Sequence, residues 1–410
     1  MKQNEKNVLI LCHYAQQPPY NTMLRYHNWG KQLCKRGISV KIVAASTVHN
    51  TDIDVIEKIG KETDVVDDVN YEYIKTPRYS GNGFARMKNM LMYAMKLGNL
   101  KNEKPDIVIV CEAYLLLFAK KIFKKVPIVT DIVDLWPTSI VEYAGFSESN
   151  PIIRLLYFIE KKAYLKSDAI IFSMEGGRDY VAEQSYAKKI DFNKIFHINM
   201  GCDVFEADQN REMIHEELPW DFDKYNIVYC GSVRRANNIQ QICDAAKKIG
   251  ESEKDKIFFH IYGNGDEQER LEVYCKDNGI SNIRFYGRIE KAKIPYVLSK
   301  ATANILTYKQ VNLMKYGGSQ SKLFDYLVSG RPIICNAKFG YNLITRYNCG
   351  VVTENQTSEA FAKAVLELCN MDSNKLAEMG RNARRAAEEY DQPFLVDKLM
   401  EVFDYIEKEK

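Results

Sequence analysis

Short, mostly apolar runs alternate along the chain with longer segments whose apolar positions recur at helical spacing, and the alternation stops and starts again midway. Val8 to Cys12, Ile38 to Ala44, Pro105 to Val110, Pro127 to Ile132, Ser167 to Ser173 and Lys194 to Asn199 read as buried strands, with a weaker one at Tyr71 to Lys75. Between them, Arg25 to Lys35, Arg78 to Lys101 and Ile153 to Lys166 carry helical periodicity. Strand, helix, strand predicts parallel sheets with right-handed crossovers. Thr47 to Asp68 is acidic and reads as irregular; Val204 to Asp223 is polar without a period and reads as an interdomain linker. The pattern restarts with strands at Tyr225 to Cys230, Ile257 to Tyr262, Asn282 to Tyr286, Ala303 to Thr307 and Ile333 to Cys335, and a short one at Val351-Val352. Phe361 to Cys369, Ser373 to Tyr390 and Phe394 to Lys408 close the chain as helices.

The chain has 410 residues, which fits two cores of ordinary size better than one. A formal net charge of +3 gives no reason to expect a nucleic-acid partner. Ten cysteines are scattered without a Cys-x-x-Cys or Cys/His cluster, so neither a disulfide framework nor a metal site is expected, and a reducing cytoplasm is. The first apolar run is too short for a signal peptide or a membrane span.

Ligands of open α/β sheets collect at the carboxyl ends of the strands, which directs attention to a few positions. His13 and Asp134 stand at two such ends in the first half; each fits either a ligand contact or a satisfied local cap. In the second half three successive strands end in glycine: Gly231-Ser232, Gly263 with Gly265, and Gly287-Arg288. Glycine lets backbone approach a ligand closely, so the series points to a nucleotide cleft. The loop Gly317-Gly318-Ser319-Gln320 then opens a helix at Ser321, leaving N–H groups free for an anion. Lys322 adds a cation there, and Asp325 falls on the same face. Phosphate and hydroxyls in one ligand, as in a sugar nucleotide, would suit this set; a plain surface capping box would show the same spacing. Phe84, Met87, Leu91 and Met95, fringed by Arg86, Lys88, Lys96 and Lys101, make a basic amphipathic helix. It suits core packing or an anionic membrane surface.

Motifs through nearly the whole chain resemble glycosyltransferase family 4. Asp134-Leu135-Trp136-Pro137-Thr138-Ser139 looks like the "DLWPES" segment of the branch that builds bacterial surface polysaccharides, and Asn199-Met200-Gly201-Cys202-Asp203 like "NGVD". Ser321-Lys322-Leu323-Phe324-Asp325-Tyr326 with Gly330-Arg331-Pro332 is similar to "SKxxEYxAxGxP". The resemblance implies the α/β GT-B architecture of two Rossmann-like, doubly wound parallel-sheet domains facing a cleft. It implies an acceptor-binding domain over 1–203, a nucleotide-sugar domain over 204–392, and a helix over 393–410 returning to the first domain. It implies a retaining transfer from a nucleoside-diphosphate sugar to a saccharide or polyprenyl-diphosphate-linked acceptor, with no metal or other cofactor. Donor contacts are implied at Gly231, Ser232, Arg235, Gly263, Gly265, Gly287, Arg288, Gly318, Ser319, Ser321, Lys322 and Asp325. Asp134, His13, Lys322 and Arg235 are the implied catalytic set, and residues 84–97 an expected contact with the cytoplasmic membrane face. The family's first acidic residue falls on Gly317, its second is Asp325 in place of glutamate, and its histidine falls near Val133. A sugar-nucleotide epimerase of the same architecture, or a non-catalytic partner subunit, fits the same motifs.

Overall fold

The computed structural model describes residues 6–21, 23–81, 83–250, 256–353 and 355–409. The chain divides into two compact units: Met1–Asn199 with Gln392–Lys410, and Met200–Asp391.

In the first unit β1 (Asn7–Leu11), β2 (Ser39–Ala45), β3 (Thr63–Val66), β4 (Val69–Ile74), β5 (Ile107–Val110), β6 (Ile128–Ile132), β7 (Ala169–Phe172) and β8 (Ile195–His197) form one sheet. Its order is β3-β4-β2-β1-β5-β6-β7-β8. The strands pair in parallel, except β3 with β4. Every residue of β5, β6 and β7 is buried, as strands covered on both faces require. The step from β1 to β2 runs one way across the sheet, and the steps β5 to β6 to β7 run the other way. Right-handed crossovers therefore place their helices on opposite faces. Arg25–Cys34 packs with the C-terminal helix Gln392–Lys408. Ala113–Ile122 packs with Phe84–Lys96 and Pro151–Lys166.

The C-terminal helix returns to the first unit by burying Leu395, Val396, Leu399, Val402, Phe403 and Ile406. Arg36 bonds Asp397 at 2.6 Å, and Lys6 bonds Glu407 at 2.6 Å. A buried ion pair fixes the opposite end of the Arg25–Cys34 helix. Arg25 donates to Asp131 from Nε at 2.8 Å and Nη2 at 2.9 Å, and to the carbonyls of Ile198 and Asn199.

In the second unit β9 (Tyr225–Cys230), β10 (Ile257–Tyr262), β11 (Ile283–Gly287), β12 (Ala303–Leu306), β13 (Ile333–Cys335) and β14 (Gly350–Val352) form a parallel sheet in the order β11-β10-β9-β12-β13-β14. Ile227, Tyr229, Phe259, Ile261 and Ile305 face a core completed by the Ile239–Gly250 and Ser358–Cys369 helices.

Two segments depart from the sequence expectation. Thr47 to Asp68 holds a short helix, Val55–Ile59, capped by Asp54, and the edge strand β3. That strand alternates exposed and half-buried residues, and its turn residues Asp67 and Asp68 adopt positive φ, so no apolar run announced it. Val204 to Met213 is a helix of the second unit, not linker. Asp203 caps it by accepting from the Glu206 N–H at 2.9 Å, and Asp208 takes a bidentate bond from Arg384 at 2.8 and 2.6 Å. Only Val204 is buried, so polar contacts rather than an apolar stripe hold it. Among the described residues no helix is long and apolar enough to cross a membrane.

Candidate functional site

The carboxyl edge of the second sheet is built by backbone fitting against backbone. Gly231 N–H donates to the Tyr262 carbonyl at 2.9 Å, Gly263 N–H to that of Gly287 at 2.7 Å, and Val233 N–H to that of Asn264 at 2.9 Å. A Cβ at Gly263 would lie 1.8 Å from the Gly231 oxygen, and one at Gly265 would lie 2.1 Å from the Val233 oxygen. Gly263 and Gly265 thus have a reason of their own to be glycine, the packing of one strand-end loop on the next. At Gly231 a Cβ would meet the Tyr229 hydroxyl at 2.9 Å and the Lys322 ammonium at 3.1 Å. Here the missing side chain keeps space beside a cation.

That cation stands on the first turn of the Ser321–Val328 helix. Lys322 Nζ donates to Tyr229 Oη at 3.0 Å and to Asn237 Oδ1 at 3.2 Å. It lies 4.9 Å from the centre of the Tyr229 ring and 4.6 Å from that of Tyr308. Asn237 is held in turn: its amide donates to the Ser232 carbonyl at 2.7 Å and the Ser232 hydroxyl at 2.8 Å. Tyr326, one turn further along the helix, donates to the Cys230 carbonyl at 3.0 Å and ties the helix to β9. Loss of hydration lowers the Lys322 ammonium to about 7, with only Cys230 opposing. Its partners are neutral oxygens and π faces, and no carboxylate pairs with it among the described residues.

Asp325 does not pair with Lys322, although the two share a helix. Its electrostatic partner is Lys291, on the turn after β11. Desolvation raises Asp325, to about 6, and Lys291 draws it down. Desolvation lowers Lys291, while Asp325, Glu206 and Asp203 raise it. Both residues are exposed, although protein atoms crowd them. Arg235 begins a 3-10 turn four residues after Gly231 and is exposed, as is Arg288 after Gly287. Gly317 adopts φ 96° and ψ −168°, a conformation that glycine tolerates and glutamate does not. A glutamate at this position would require the loop to move. Gly318 and Ser319 lie half-buried, and Ser321 exposed, where the helix starts.

The first sheet has its own polar edge. His13 is fully buried, not open at a strand tip. Its Nε2 bonds Asn89, whose amide also donates to Thr47 Oγ1 at 2.9 Å and the Pro77 carbonyl at 2.5 Å. Desolvation lowers His13 to about 4, so its ring is neutral. Arg86 donates to Tyr14 Oη at 2.9 Å beside it. Glu112, at the end of β5, is raised to about 8 by burial, against the His13 N–H and Arg86. Asp134 is exposed at the end of β6; crowding raises its carboxyl while the Ser139 hydroxyl holds it down. Sequence reading missed Tyr229, Asn237, Tyr308, Lys291, Glu112 and Arg86 as members of these edges. Tyr229 lay inside an apolar run, and nothing in its spacing set Asn237 or Lys291 apart.

Comparison with known proteins follows the same division. Residues 210–386 match the family described as Glycosyl transferases group 1. An uncharacterised glycosyltransferase of Methanocaldococcus jannaschii is 20% identical over 243 residues, spanning 58% of this chain and 59% of that protein. The fold is similar to that of sucrose-phosphate synthase from Thermosynechococcus elongatus, with a TM-score of 0.78 at 12% identity, covering 99% of this chain and 100% of that one. It is also similar to that of HepE from Anabaena, solved with UDP and glucose, with a TM-score of 0.66 at 14% identity over 97% and 99% of the two chains. Residues 210–386 are thus similar to the glycosyl transferases of group 1, and the chain has the GT-B fold.

Proposed function

We propose that the protein moves a sugar from a nucleoside-diphosphate sugar to a hydroxyl of a saccharide acceptor, with retention, as a family 4 enzyme of bacterial surface-polysaccharide synthesis. The observation that carries this reading is the Lys322 ammonium, held between Tyr229 and Asn237 without a carboxylate. Departure of a nucleoside diphosphate puts negative charge on the leaving oxygens, and a fixed cation stabilises that charge without reorganising. Lys322 meets the diphosphate in this scheme, joined by Arg235 from the turn after β9 and by the N–H groups at Gly318, Ser319 and Ser321. Asp325, oriented by Lys291, accepts from the ribose hydroxyls. The strand end at Gly287 and Arg288 reads the base. The cations present supply the charge that a metal would otherwise bring, so we expect activity without one.

On the acceptor side Asp134, exposed at its strand end, is placed to meet the acceptor hydroxyl. His13 acts from behind the surface, by holding Asn89. The acceptor is proposed to be polyprenyl-diphosphate-linked, with the Phe84–Lys96 helix resting on the cytoplasmic membrane face. The "DLWPT" segment and the basic amphipathic character of that helix support this part.

HepE was solved with UDP and glucose, so UDP-glucose is the first donor to test. Calorimetry with UDP and UDP-glucose on the wild type and Lys322→Ala is the experiment. Binding that falls by about a hundredfold in the variant, on the order of 3 kcal/mol, supports the reading. Equal binding by both proteins defeats it. Donor incubated alone, followed for an epimer, separates transfer from the epimerase reading.

A further inference from the structure

Ten lysines and arginines lie on the helical stretches Phe84–Asn102, Ala113–Ile122 and Pro151–Lys166, against one carboxylate, Glu160; the Thr138–Ala144 helix and the turn after it add Glu142 and Glu148. Glu160 is buried, where it accepts from the hydroxyls of Tyr180 at 2.7 Å and Tyr164 at 3.2 Å. The whole chain has a net charge of only +3, so positive charge is concentrated on this one layer of the first unit. The three helices share a face of the sheet, for the crossover reason given above. Lys120 already pairs with Asp168.

The layer also exposes apolar surface in two places. On the first helix Phe84, Met87, Leu91 and Met95 are 53% to 80% exposed. At the other end Tyr143, Phe146, Ile152, Leu155 and Phe158 are 43% to 57% exposed. These five come from the Thr138–Ala144 and Pro151–Lys166 helices and the turn between, which Thr138 and Tyr157 join at 3.2 Å. Their neighbours include Arg154, Lys161 and Lys162 as well as Glu142 and Glu148, and the Lys162 ammonium sits 5.2 Å from the Phe158 ring centre. Large apolar side chains interleaved with cations, on helices whose opposite faces are anchored in a core, match the acyl boundary and headgroups of an anionic bilayer. A second copy of the chain would bring the same positive charge to this face and be repelled.

We propose that the Thr138–Lys166 region is a second contact with an anionic lipid surface, so that the whole helical layer docks rather than the Phe84–Lys96 helix alone. This deepens the contact proposed for that helix and does not depend on sugar transfer. The test is co-sedimentation of the full chain with vesicles of phosphatidylglycerol or of phosphatidylcholine. The wild type, Phe84→Glu/Leu91→Glu and Leu155→Glu/Phe158→Glu are compared, with melting curves to confirm that each folds. The expected result is binding to phosphatidylglycerol alone, weakened by salt, and reduced on the order of tenfold or more in both double variants. Wild-type binding by Leu155→Glu/Phe158→Glu, with loss in Phe84→Glu/Leu91→Glu, overturns the second contact and leaves the first standing. Absence of vesicle binding by the wild type overturns both. So does a dimer in light scattering that Leu155→Glu/Phe158→Glu dissociates while vesicles bind nothing.

Discussion

Lys322 is a cation surrounded by oxygens that bear no charge, and that arrangement fixes its pH behaviour. Its folded pKa, near 7, is far below the ordinary lysine value of 10.5. In the free protein at pH 8 the amine is mostly neutral, and on the proposed reading an arriving diphosphate restores the proton. Nucleotide binding at pH 8 is therefore expected to take up close to one proton and to weaken as pH rises above about 7. Calorimetry in two buffers of different ionisation enthalpy measures this, and an apparent enthalpy independent of buffer contradicts it. The same shift acts on stability with a definite sign: between 7 and 10.5 the unfolded chain binds more protons, so this group makes stability rise with pH across that window. Arg25 is the contrasting case, a cation whose carboxylate partner is equally buried. Arg25→Met leaves the buried Asp131 without its guanidinium, held by the Tyr26 hydroxyl at 2.9 Å, at a cost of about 3–5 kcal/mol. A fall in denaturant midpoint at unchanged slope would show it. Neither partnership is legible in the sequence, because Tyr229 is 93 residues from Lys322 and Asp131 is 106 from Arg25.

At the scale of the element, the strand ends of the second sheet set their own glycine requirement. Gly263→Ala combines φ +126° with a Cβ driven into the Gly231 carbonyl, so that the loop beside Lys322 must move. Gly279→Ala has φ +63° and open space around the new methyl. The second change is expected to cost about 1 kcal/mol, from backbone strain alone. The first should cost several times as much and weaken UDP binding as well; thermal melts paired with nucleotide titrations separate the two. The buried strands were readable because a strand covered on both faces is mostly apolar along its length. The edge strand β3 and the Val204–Met213 helix were not, because each is held by polar contacts that leave no period.

Two cores in one molecule predict two separable effects. Leu399 is fully buried in the first unit, on the helix that returns from the end of the chain. Leu399→Ala is expected to destabilise that unit by about 2–5 kcal/mol. Nucleotide binding, proposed to rest on second-unit residues, should stay unchanged. Calorimetric melts with and without UDP check this, because bound UDP stabilises only the folded state that holds it. Equal loss of nucleotide affinity in Leu399→Ala would show the pocket to depend on the first core.

The sequence by itself determined the two runs of alternating strands and helices, the glycine loops that end three strands, and the Ser321-Lys322 helix start. These follow from local patterning, where burial on both faces and a bare helix end each leave a signature in adjacent residues. Only the tertiary structure decided that Lys322 is gripped by Tyr229 and Asn237 while Asp325 answers to Lys291. It also decided that His13 is walled in and that three basic helices share a face. Those outcomes depend on which strands become neighbours, and the order of a sheet is set by long-range packing that no short window of residues contains.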